Sequence, residues 1–254
     1  MLKSTEIFDH FSKRKGQIAV LIDPDKSNDD ITLSELIKKA EFANVDYFFV
    51  GGSTVALEEF LHVISFVKNN STIPLVIFPG AAHHISQDAD ALLYLSLISG
   101  RNPDYLIGHH VHSANEVYNM DVEVIPTAYL LIDGGNKSSV AYVSQTIPIP
   151  KDKTGIIINT AKAGILQGKK LLYVDSGSGA IHTVPFEVIQ ELSELNTPLI
   201  VGGGIRTKEK IETLAKSGAN VIVIGNKIEE DIDFLIDIKS YISNTTKASS
   251  QPIK

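Results

Sequence analysis

Eight short apolar segments, separated by helical patterns, recur along the chain and constrain its fold more than any other feature. Each is strand-sized and rich in Val, Ile, Leu or aromatic residues, and none alternates cleanly with polar residues. Continuous apolar strands are expected where helices cover both faces of a parallel sheet. The segments are Ile18–Asp23, Asp46–Gly51, Leu75–Pro79, Ala91–Ser96, Val124–Leu131, Leu171–Asp175, Leu199–Val201 and Val221–Gly225.

The segments between these strands carry helical patterns, which implies βα units joined by right-handed crossovers. Eight such units within 254 residues predict a closed (βα)8 TIM barrel, and an open doubly wound sheet is the alternative. We expect one barrel domain over residues 1–243 and a disordered polar tail over 244–254. The helical patterns cover Asp29–Phe42, Thr54–Lys68, Asp152–Gln167, Pro185–Leu195 and Thr207–Lys216.

Charge and composition exclude several classes of protein. The formal net charge of −7 argues against general nucleic-acid binding, which needs a basic surface. The absence of cysteine excludes disulfides, thiolate metal sites and cysteine nucleophiles. No apolar run approaches the roughly 20 residues that span a bilayer, and the N-terminus has no signal core. We therefore expect a cytoplasmic protein that could still contact a membrane peripherally.

Glycine-rich turns follow the last three predicted strands. They are Asp175–Gly179, Gly202–Thr207 and Gly225–Asn226. Glycine lets the backbone approach a phosphate and point several N–H groups at it, and the helices that follow add a favourable dipole. TIM barrels bind phosphate after strands seven and eight, so these turns predict a phosphate-binding site.

A polar cluster, Asp23-Pro24-Asp25-Lys26, lies at the end of the first predicted strand. Asp25 could bind Mg²⁺, which prefers oxygen ligands, and Lys26 could meet a phosphate as a point charge. A turn that caps the following helix explains the same residues. The sequence alone does not decide between the two interpretations.

Ser53 and Asp175 also have two interpretations each. Ser53 follows the second strand and could cap the next helix or offer an oxygen to the same cation. Asp175 ends the sixth strand inside the predicted phosphate site. A bound phosphate would repel its carboxylate, so Asp175 needs a role that offsets this repulsion. It could accept a hydrogen bond or a proton from a substrate hydroxyl, or it could bind a neighbouring loop.

Two connections and one group of histidines are irregular. Residues 80–89 are short for a full helix, and residues 133–151 are long for a βα loop, so the second is a candidate lid over the active site. His83-His84 and the histidines at 109, 110 and 112 resemble a metal tract. No carboxylate partner is evident for them, so we expect a helix surface or a subunit contact instead of zinc.

Taken together, these motifs resemble those of the geranylgeranylglyceryl phosphate synthase family, which also includes heptaprenylglyceryl phosphate synthases. The resemblance runs from residue 18 to about residue 240, and the combination of DPDK with YxxSGSG and GGGI is specific. The matching segments are LIDPDK at 21–26, FVGGST at 49–54, FPG at 78–80, SGRNPDYLIGHH at 99–110, YVDSGSG at 173–179, GGGIRT at 202–207 and IGN at 224–226.

The resemblance implies a TIM-barrel prenyltransferase that joins sn-glycerol 1-phosphate to a polyprenyl diphosphate, uses Mg²⁺ and releases diphosphate. By position, Asp25 and Ser53 match the family's cation site. The residues that match the glycerol 1-phosphate site are Tyr173, Val174, Asp175, Ser176, Gly177, Ser178, Gly179, Gly203, Gly204, Gly225 and Asn226. We also expect a homo-oligomer.

Two departures from the family pattern mark a subgroup. Some members have a lysine where this chain has Leu21, so its role is expected to pass to Lys26 at the diphosphate. Phe78 replaces an acidic residue of other members. The prenyl groove is expected to include Tyr105, where the family places an aromatic residue near the far end, and Tyr129. The Tyr105 ring would either block longer prenyl chains or only pack one helix against another. We expect geranylgeranyl diphosphate as the prenyl donor.

Two other functions fit parts of this pattern. Sugar-phosphate isomerases and amino-acid biosynthetic barrels share GGGI-type turns but do not require DPDK beside an apolar groove. A non-catalytic barrel that senses a phosphorylated ligand would need the phosphate site and no cation. Magnesium-dependent turnover separates such a sensor from a prenyltransferase.

Overall fold

A computed structural model describes residues 6–27 and 29–249, and its eight strands form one closed parallel barrel. Each strand pairs with the next, and the first closes on the last through pairs that run from Gln17 opposite Val221 to Val20 opposite Ile224. The strands are β1 Gln17–Ile22, β2 Tyr47–Val50, β3 Leu75–Ile77, β4 Ala91–Leu97, β5 Glu123–Leu131, β6 Leu171–Asp175, β7 Leu199–Gly202 and β8 Val221–Ile224. The prediction of a TIM barrel is confirmed, and each predicted strand lies within two residues of its observed bounds.

Ten helices surround or close the barrel over the described residues. One π-helical turn, Asp104–Gly108, leads directly into the fourth. The helices are α1 Glu6–Lys13, α2 Asp30–Ala43, α3 Leu57–Asn70, α4 His109–Asn119, α5 Ser139–Val143, α6 Thr154–Leu166, α7 Phe186–Ser193, α8 Lys208–Lys216, α9 Asn226–Glu230 and α10 Phe234–Ser249.

The strands carry two separate apolar cores because successive side chains point to opposite faces. Inward residues such as Phe49, Leu93 and Tyr173 fill the barrel, and Phe11 of α1 closes its lower end against Tyr47 at 4.9 Å between ring centres. Outward residues pack against the helices. A filled interior means that substrates must bind at the rim of the barrel.

Several helix ends follow local capping chemistry. The Asp29 side chain accepts a hydrogen bond from the Thr32 N–H at 2.9 Å, and Thr207 caps α8 in the same way. The prediction that Ser53 caps α3 is wrong, because α3 begins at Leu57 after Ala56. The Thr54 hydroxyl instead donates to Asp25, so residues 53–56 bend over the barrel mouth before the helix starts.

The C-terminal helix continues further than its side-chain pattern indicated. The predicted polar tail began at residue 244, whereas the helical backbone of α10 extends to Ser249. Backbone hydrogen bonds hold a helix together, so polar side chains alone do not end it. The remainder of the predicted tail, residues 250–254, lies outside the described residues. Over residues 6–27 and 29–249, no helix is long and apolar enough to cross a membrane.

Candidate active site

The carboxyl ends of the strands open into one cavity of about 320 Å³ across the top of the barrel. Its lining joins the strand-one cluster to the glycine turns and to an apolar groove near α4. Because all eight strands are parallel, residues as far apart along the chain as Lys26 and Glu229, 203 positions, meet at this edge. The predicted site residues in the lining are Asp25, Lys26, Ser53, Tyr105, Tyr129, Tyr173, Asp175, Gly177, Ser178, Gly203, Gly204, Gly225 and Asn226.

Three predicted substrate-binding residues do not line the cavity. Val174 is fully buried and points outward into the core beneath the helices, because it alternates with the inward-facing Tyr173 and Asp175. The Val174 side chain therefore does not reach the cavity, although its backbone belongs to the predicted motif. Ser176 is buried behind the turn, and its hydroxyl finds no hydrogen-bond partner in the described part of the chain. Gly179 lies just outside the lining and shapes the turn through its N–H, which donates to Asn226.

The glycine turn after β7 lies directly against the turn after β6. Gly203 has φ of +82°, and a Cβ built on it would lie 2.8 Å from both Asp175 Oδ1 and the Ser176 nitrogen. Gly204 also has a positive φ, of +70°. A side chain at Gly203 would meet both backbone strain and a clash, so glycine is required there. Gly225 differs, because its φ is ordinary and an added Cβ would only contact the Leu21 side chain at 3.5 Å.

Asp175 is buried at the centre of the site with both carboxylate oxygens in use. Its Oδ2 accepts from the Tyr129 hydroxyl at 2.6 Å, and its Oδ1 accepts from the Gly177 N–H at 2.9 Å. Burial raises the pKa of the Asp175 carboxyl, and these hydrogen bonds, which favour the charged form, oppose that rise. Both partners belong to β5 or to the turn that follows Asp175 itself, so these two bonds satisfy the carboxylate without a neighbouring loop. A carboxylate with a raised pKa inside a cavity is also suited to accept a proton.

Three aromatic rings meet beside Asp175. Phe78 stacks on Tyr173 with 4.9 Å between ring centres, and Tyr129 stands edge-on to Tyr173 at 5.3 Å. Phe78 therefore fills, with a ring, the space at the end of β3 where the family pattern has an acidic residue. Tyr129 lines the cavity, and its hydroxyl donates to Asp175, so its ring lies near the centre of the site.

The strand-one cluster forms a compact turn at the opposite wall. Asp25 Oδ2 accepts from the Thr54 hydroxyl at 2.8 Å, and the Asp25 N–H donates to Asp23 Oδ1 at 3.3 Å. Burial raises the pKa of the Asp23 carboxyl. Lys26 pairs with Glu229 at 2.9 Å and with Asp23 at 3.5 Å. The sequence did not indicate Thr54 or Glu229 as site residues, because only the fold brings them beside the strand-one cluster.

The apolar groove exists because no helix forms between β3 and β4, although every residue of that connection is described. The gap lets the cavity reach the outward-facing side chains Leu92 and Tyr94 of β4. Tyr105, on the π-helical turn, stands edge-on to His109 at 4.7 Å and lines this end of the cavity. Val140 and Val143 of α5 form another wall, so part of the long 133–151 connection covers the groove.

Two histidines of the apparent metal tract, His84 and His110, serve packing in this structure. His84 is buried, accepts a hydrogen bond from the Gly80 N–H at 3.2 Å, and stacks on Phe60. His110 bonds the Leu95 carbonyl oxygen at 2.6 Å and stacks on Tyr94. Burial lowers the pKa of both imidazoles, which favours their neutral forms. His84 is therefore buried and His110 half-buried, so neither side chain lies on an exposed helix surface.

A parallel eight-stranded barrel with glycine turns after its last three strands defines a class of barrels that bind a phosphorylated ligand at the rim. Here the same cavity continues into an apolar groove, which fits a ligand with a phosphate at one end and a hydrocarbon chain at the other. The model of the PcrB family matches residues 11–242, so the chain belongs to the PcrB family.

Individual relatives support this membership over most of the chain. A geranylgeranylglyceryl phosphate synthase of Chitinophaga pinensis is 45% identical over 235 residues, which cover 91% of this chain and 93% of that protein. A synthase of the same name from Korarchaeum cryptofilum is 39% identical, covering 87% and 91%. The crystal structure of the (S)-3-O-geranylgeranylglyceryl phosphate synthase of Thermoplasma acidophilum in complex with sn-glycerol-1-phosphate is 31% identical, with a TM-score of 0.87 over 97% of this chain and 100% of that one.

Proposed function

We propose that this protein joins sn-glycerol 1-phosphate to a polyprenyl diphosphate, forms the ether bond of a prenylglyceryl phosphate and releases diphosphate. The observation that carries the proposal is one cavity in which the glycine turns of β6 to β8 open into an apolar groove. Relatives that bear the name geranylgeranylglyceryl phosphate synthase, at 39 to 45% identity, support the same assignment.

The glycerol phosphate is proposed to lie with its phosphate on the turns at Gly177, Gly203 and Gly225. The Thermoplasma acidophilum synthase in complex with sn-glycerol-1-phosphate supports this choice of substrate. Its C3 hydroxyl would then face Asp175. In the reaction, the allylic C–O bond to diphosphate breaks, with both electrons leaving on the diphosphate. The hydroxyl oxygen forms the new C–O bond, and its proton passes to the Asp175 carboxylate.

Magnesium is proposed at the strand-one turn. The donors there are hard oxygen atoms of Asp25, Ser53 and Thr54, all of which line the cavity. Mg²⁺ typically takes one or two carboxylates and completes its coordination with water and substrate phosphates, so this small donor set fits it. When bound, Mg²⁺ would stabilise the negative charge that develops on the leaving diphosphate. Lys26 is proposed to bind the same diphosphate.

The prenyl chain is proposed to lie across the top of the barrel in the groove that leads to Tyr105. A C20 chain is ~20 Å long, comparable to several turns of helix at about 5.4 Å each, and it cannot stand upright in a filled barrel. The rings of Phe78 and Tyr129, with Val140 on α5, would shield an allylic cation from water. Geranylgeranyl diphosphate is the proposed donor.

The apolar groove favours this function over the two alternatives. A sugar-phosphate isomerase or an amino-acid biosynthetic barrel has no use for a hydrocarbon-lined extension of the phosphate site. A sensor of a phosphorylated ligand has no use for Asp25, Ser53 and Thr54 around one corner of the cavity. Homo-oligomerisation, a cytoplasmic location and peripheral membrane contact remain predictions.

The direct test is a product assay with a defined set of donors. The protein is incubated with sn-glycerol 1-phosphate, Mg²⁺ and prenyl diphosphates of C15, C20, C30 and C35 length, and the products are identified by mass. We expect the C20 ether and free diphosphate, and no product after chelation of Mg²⁺. Turnover of sugar phosphates without ether formation would favour the isomerase, and binding without any turnover would favour the sensor.

A valine at Gly203 is expected to raise the KM for glycerol 1-phosphate by about tenfold or more, with a smaller change in the KM for the prenyl diphosphate. The positive φ costs about 1–3 kcal/mol for a residue with a side chain, and the added atoms would press on Asp175 and the Ser176 nitrogen. Steady-state kinetics with each substrate varied in turn measures both constants.

Gly168 offers a matched control for Gly203. Its φ is +86°, and a Cβ there would meet nothing within 4 Å. Gly168→Val therefore imposes similar backbone strain far from the cavity and should lower stability without changing either KM. If Gly203→Val raises both KM values equally, the substitution damages the barrel generally and the phosphate assignment of Gly203 is wrong.

Alanine at Tyr105 is expected to shift the prenyl preference toward C30 or C35 diphosphates relative to C20. Removing the ring would open a space of side-chain size at the end of the groove, next to His109. The measurement is kcat/KM for each donor at saturating glycerol 1-phosphate. Tyr118→Ala, which removes an 87% exposed ring from α4, is the control. An unchanged preference with lower stability would make Tyr105 a packing residue.

A further inference from the structure

Glu229 places a carboxylate where the proposed function requires two anions to bind. It belongs to α9, lines the cavity, and lies between the strand-one turn and the glycine turns. A negative charge beside two phosphate groups opposes their binding by Coulomb repulsion. Glu229 was not indicated by the sequence, and the reaction as described above does not use it. Its presence therefore requires a compensating role.

The contacts of Glu229 connect the two halves of the site. One oxygen, Oε2, accepts from Lys26 Nζ at 2.9 Å and from Asn226 Nδ2 at 3.0 Å. Asn226 in turn accepts, through Oδ1, from the Gly179 N–H at 2.7 Å and from the Ser178 hydroxyl at 3.3 Å. A continuous chain of hydrogen bonds thus runs from the proposed diphosphate residue, Lys26, to the turn that is proposed to bind the glycerol phosphate.

Donor and acceptor chemistry allows Asn226 only one orientation in this chain. A carboxylate only accepts hydrogen bonds, so the amide NH₂ of Asn226 must face Glu229. A backbone N–H only donates, so the amide oxygen of Asn226 must face Gly179. Without Glu229, the amide NH₂ would keep, among the described residues, only the Ser178 hydroxyl at 3.2 Å as an acceptor, so Asn226 would be held less firmly against the turn at Ser178 and Gly179.

We propose that Glu229 is a positioning residue that couples the two phosphate subsites. It fixes the amide of Asn226 against the glycerol phosphate turn, and it holds the Lys26 ammonium at the mouth of the same cavity. The repulsion from its charge is offset because both anion-binding groups, the Lys26 ammonium and the glycerol phosphate turn, are in place before either substrate binds. This inference rests on the proposed function and deepens it.

Two substitutions at Glu229 separate positioning from charge. Glu229→Ala removes the acceptor, and we expect the affinity for sn-glycerol 1-phosphate to fall about tenfold, the scale of one lost hydrogen bond to a charged group. Glu229→Gln keeps an acceptor oxygen for Asn226 and Lys26 without the charge, so its affinity should stay within about threefold of wild type. Calorimetric titration of the full-length protein with sn-glycerol 1-phosphate, without prenyl donor, measures both.

Steady-state kinetics provide a second test, because a purely structural role of Glu229 would not produce different effects on KM and kcat. Glu229→Ala should raise the KM for both substrates while kcat at saturation changes by less than about threefold, because Glu229 does not touch the reacting atoms. Asp231→Ala is the matched control, since it removes a carboxylate at the end of the same helix that pairs only locally, with Lys227. Thermal unfolding of each variant verifies that the barrel is intact.

The outcomes distinguish this inference from the function on which it rests. If the wild-type protein does not bind sn-glycerol 1-phosphate, the proposed function and the inference are both wrong. If the wild type binds but Glu229→Ala binds equally well, only the inference is wrong. Equal losses in the alanine and glutamine variants would show that the charge of Glu229 matters and that its hydrogen bonds do not, which also overturns the positioning role.

Discussion

Replacing Asp25 with asparagine is expected to lower turnover by at least ~10²-fold while the barrel stays folded, which is the scale of losing one strong electrostatic stabiliser. Asparagine keeps an oxygen that can accept from the Thr54 hydroxyl, so the turn should hold its shape. What disappears is the negative charge that would hold Mg²⁺ beside the diphosphate.

The measurement is kcat at saturating substrates over a titration of Mg²⁺, together with thermal unfolding of both proteins. Glu58→Gln serves as the control. It removes an exposed carboxylate from the first turn of α3 that does not line the cavity. Near-normal activity of the Asp25 variant at saturating Mg²⁺ would remove Asp25 from the mechanism and leave the turn interpretation.

Asparagine at Asp175 is expected to lower kcat by ~10²–10⁴-fold, the range for loss of a general base, with little change in glycerol phosphate affinity. The fold should tolerate the change. The amide oxygen can still accept from the Gly177 N–H, and the amide NH₂ can donate to the Tyr129 hydroxyl, which then acts as the acceptor. Steady-state kinetics and calorimetric binding separate the two effects. A kcat within about tenfold of wild type would limit Asp175 to a structural role.

The pH dependence of the reaction provides an independent check on Asp175. A base must be ionised to act, so kcat/KM should fall as the pH drops through the pKa of Asp175, which burial has raised above the usual aspartate range. Tyr129→Phe removes a hydrogen bond that favours the carboxylate. The pKa should therefore rise further, and the acid limb of the profile should move to higher pH. A limb that stays in place or moves lower would exclude Asp175 as the titrating group.

Local patterns in the sequence were sufficient to predict the barrel and its phosphate end. Each strand is a continuous apolar segment because both faces of a parallel sheet are covered, and that requirement acts within a few neighbouring residues. The turn at Gly202–Gly204 is also a local signal, since the positive φ of Gly203 and Gly204 demands glycine whatever surrounds it. Closure of the barrel then placed these turns at one rim.

Other features of the site depend on contacts between distant segments, and only the tertiary structure decided them. Ser53 is a residue type that often caps a helix, but α3 begins only at Leu57, and Thr54 bonds instead to Asp25, 29 positions away. Val174 belongs to the matching motif, yet strand alternation turns its side chain outward.

The groove and the Glu229 contacts have the same origin. The groove appears where a helix is missing after β3, so it is shaped by what the surrounding elements leave uncovered. Glu229 meets Lys26 across 203 positions of sequence, and neither residue has a pattern around it that signals the pairing. The sequence by itself determined the periodicity and the turns, because these respond to adjacent residues. Side-chain partners at the rim were decided by barrel closure, because that step alone brings the first and last βα units into contact.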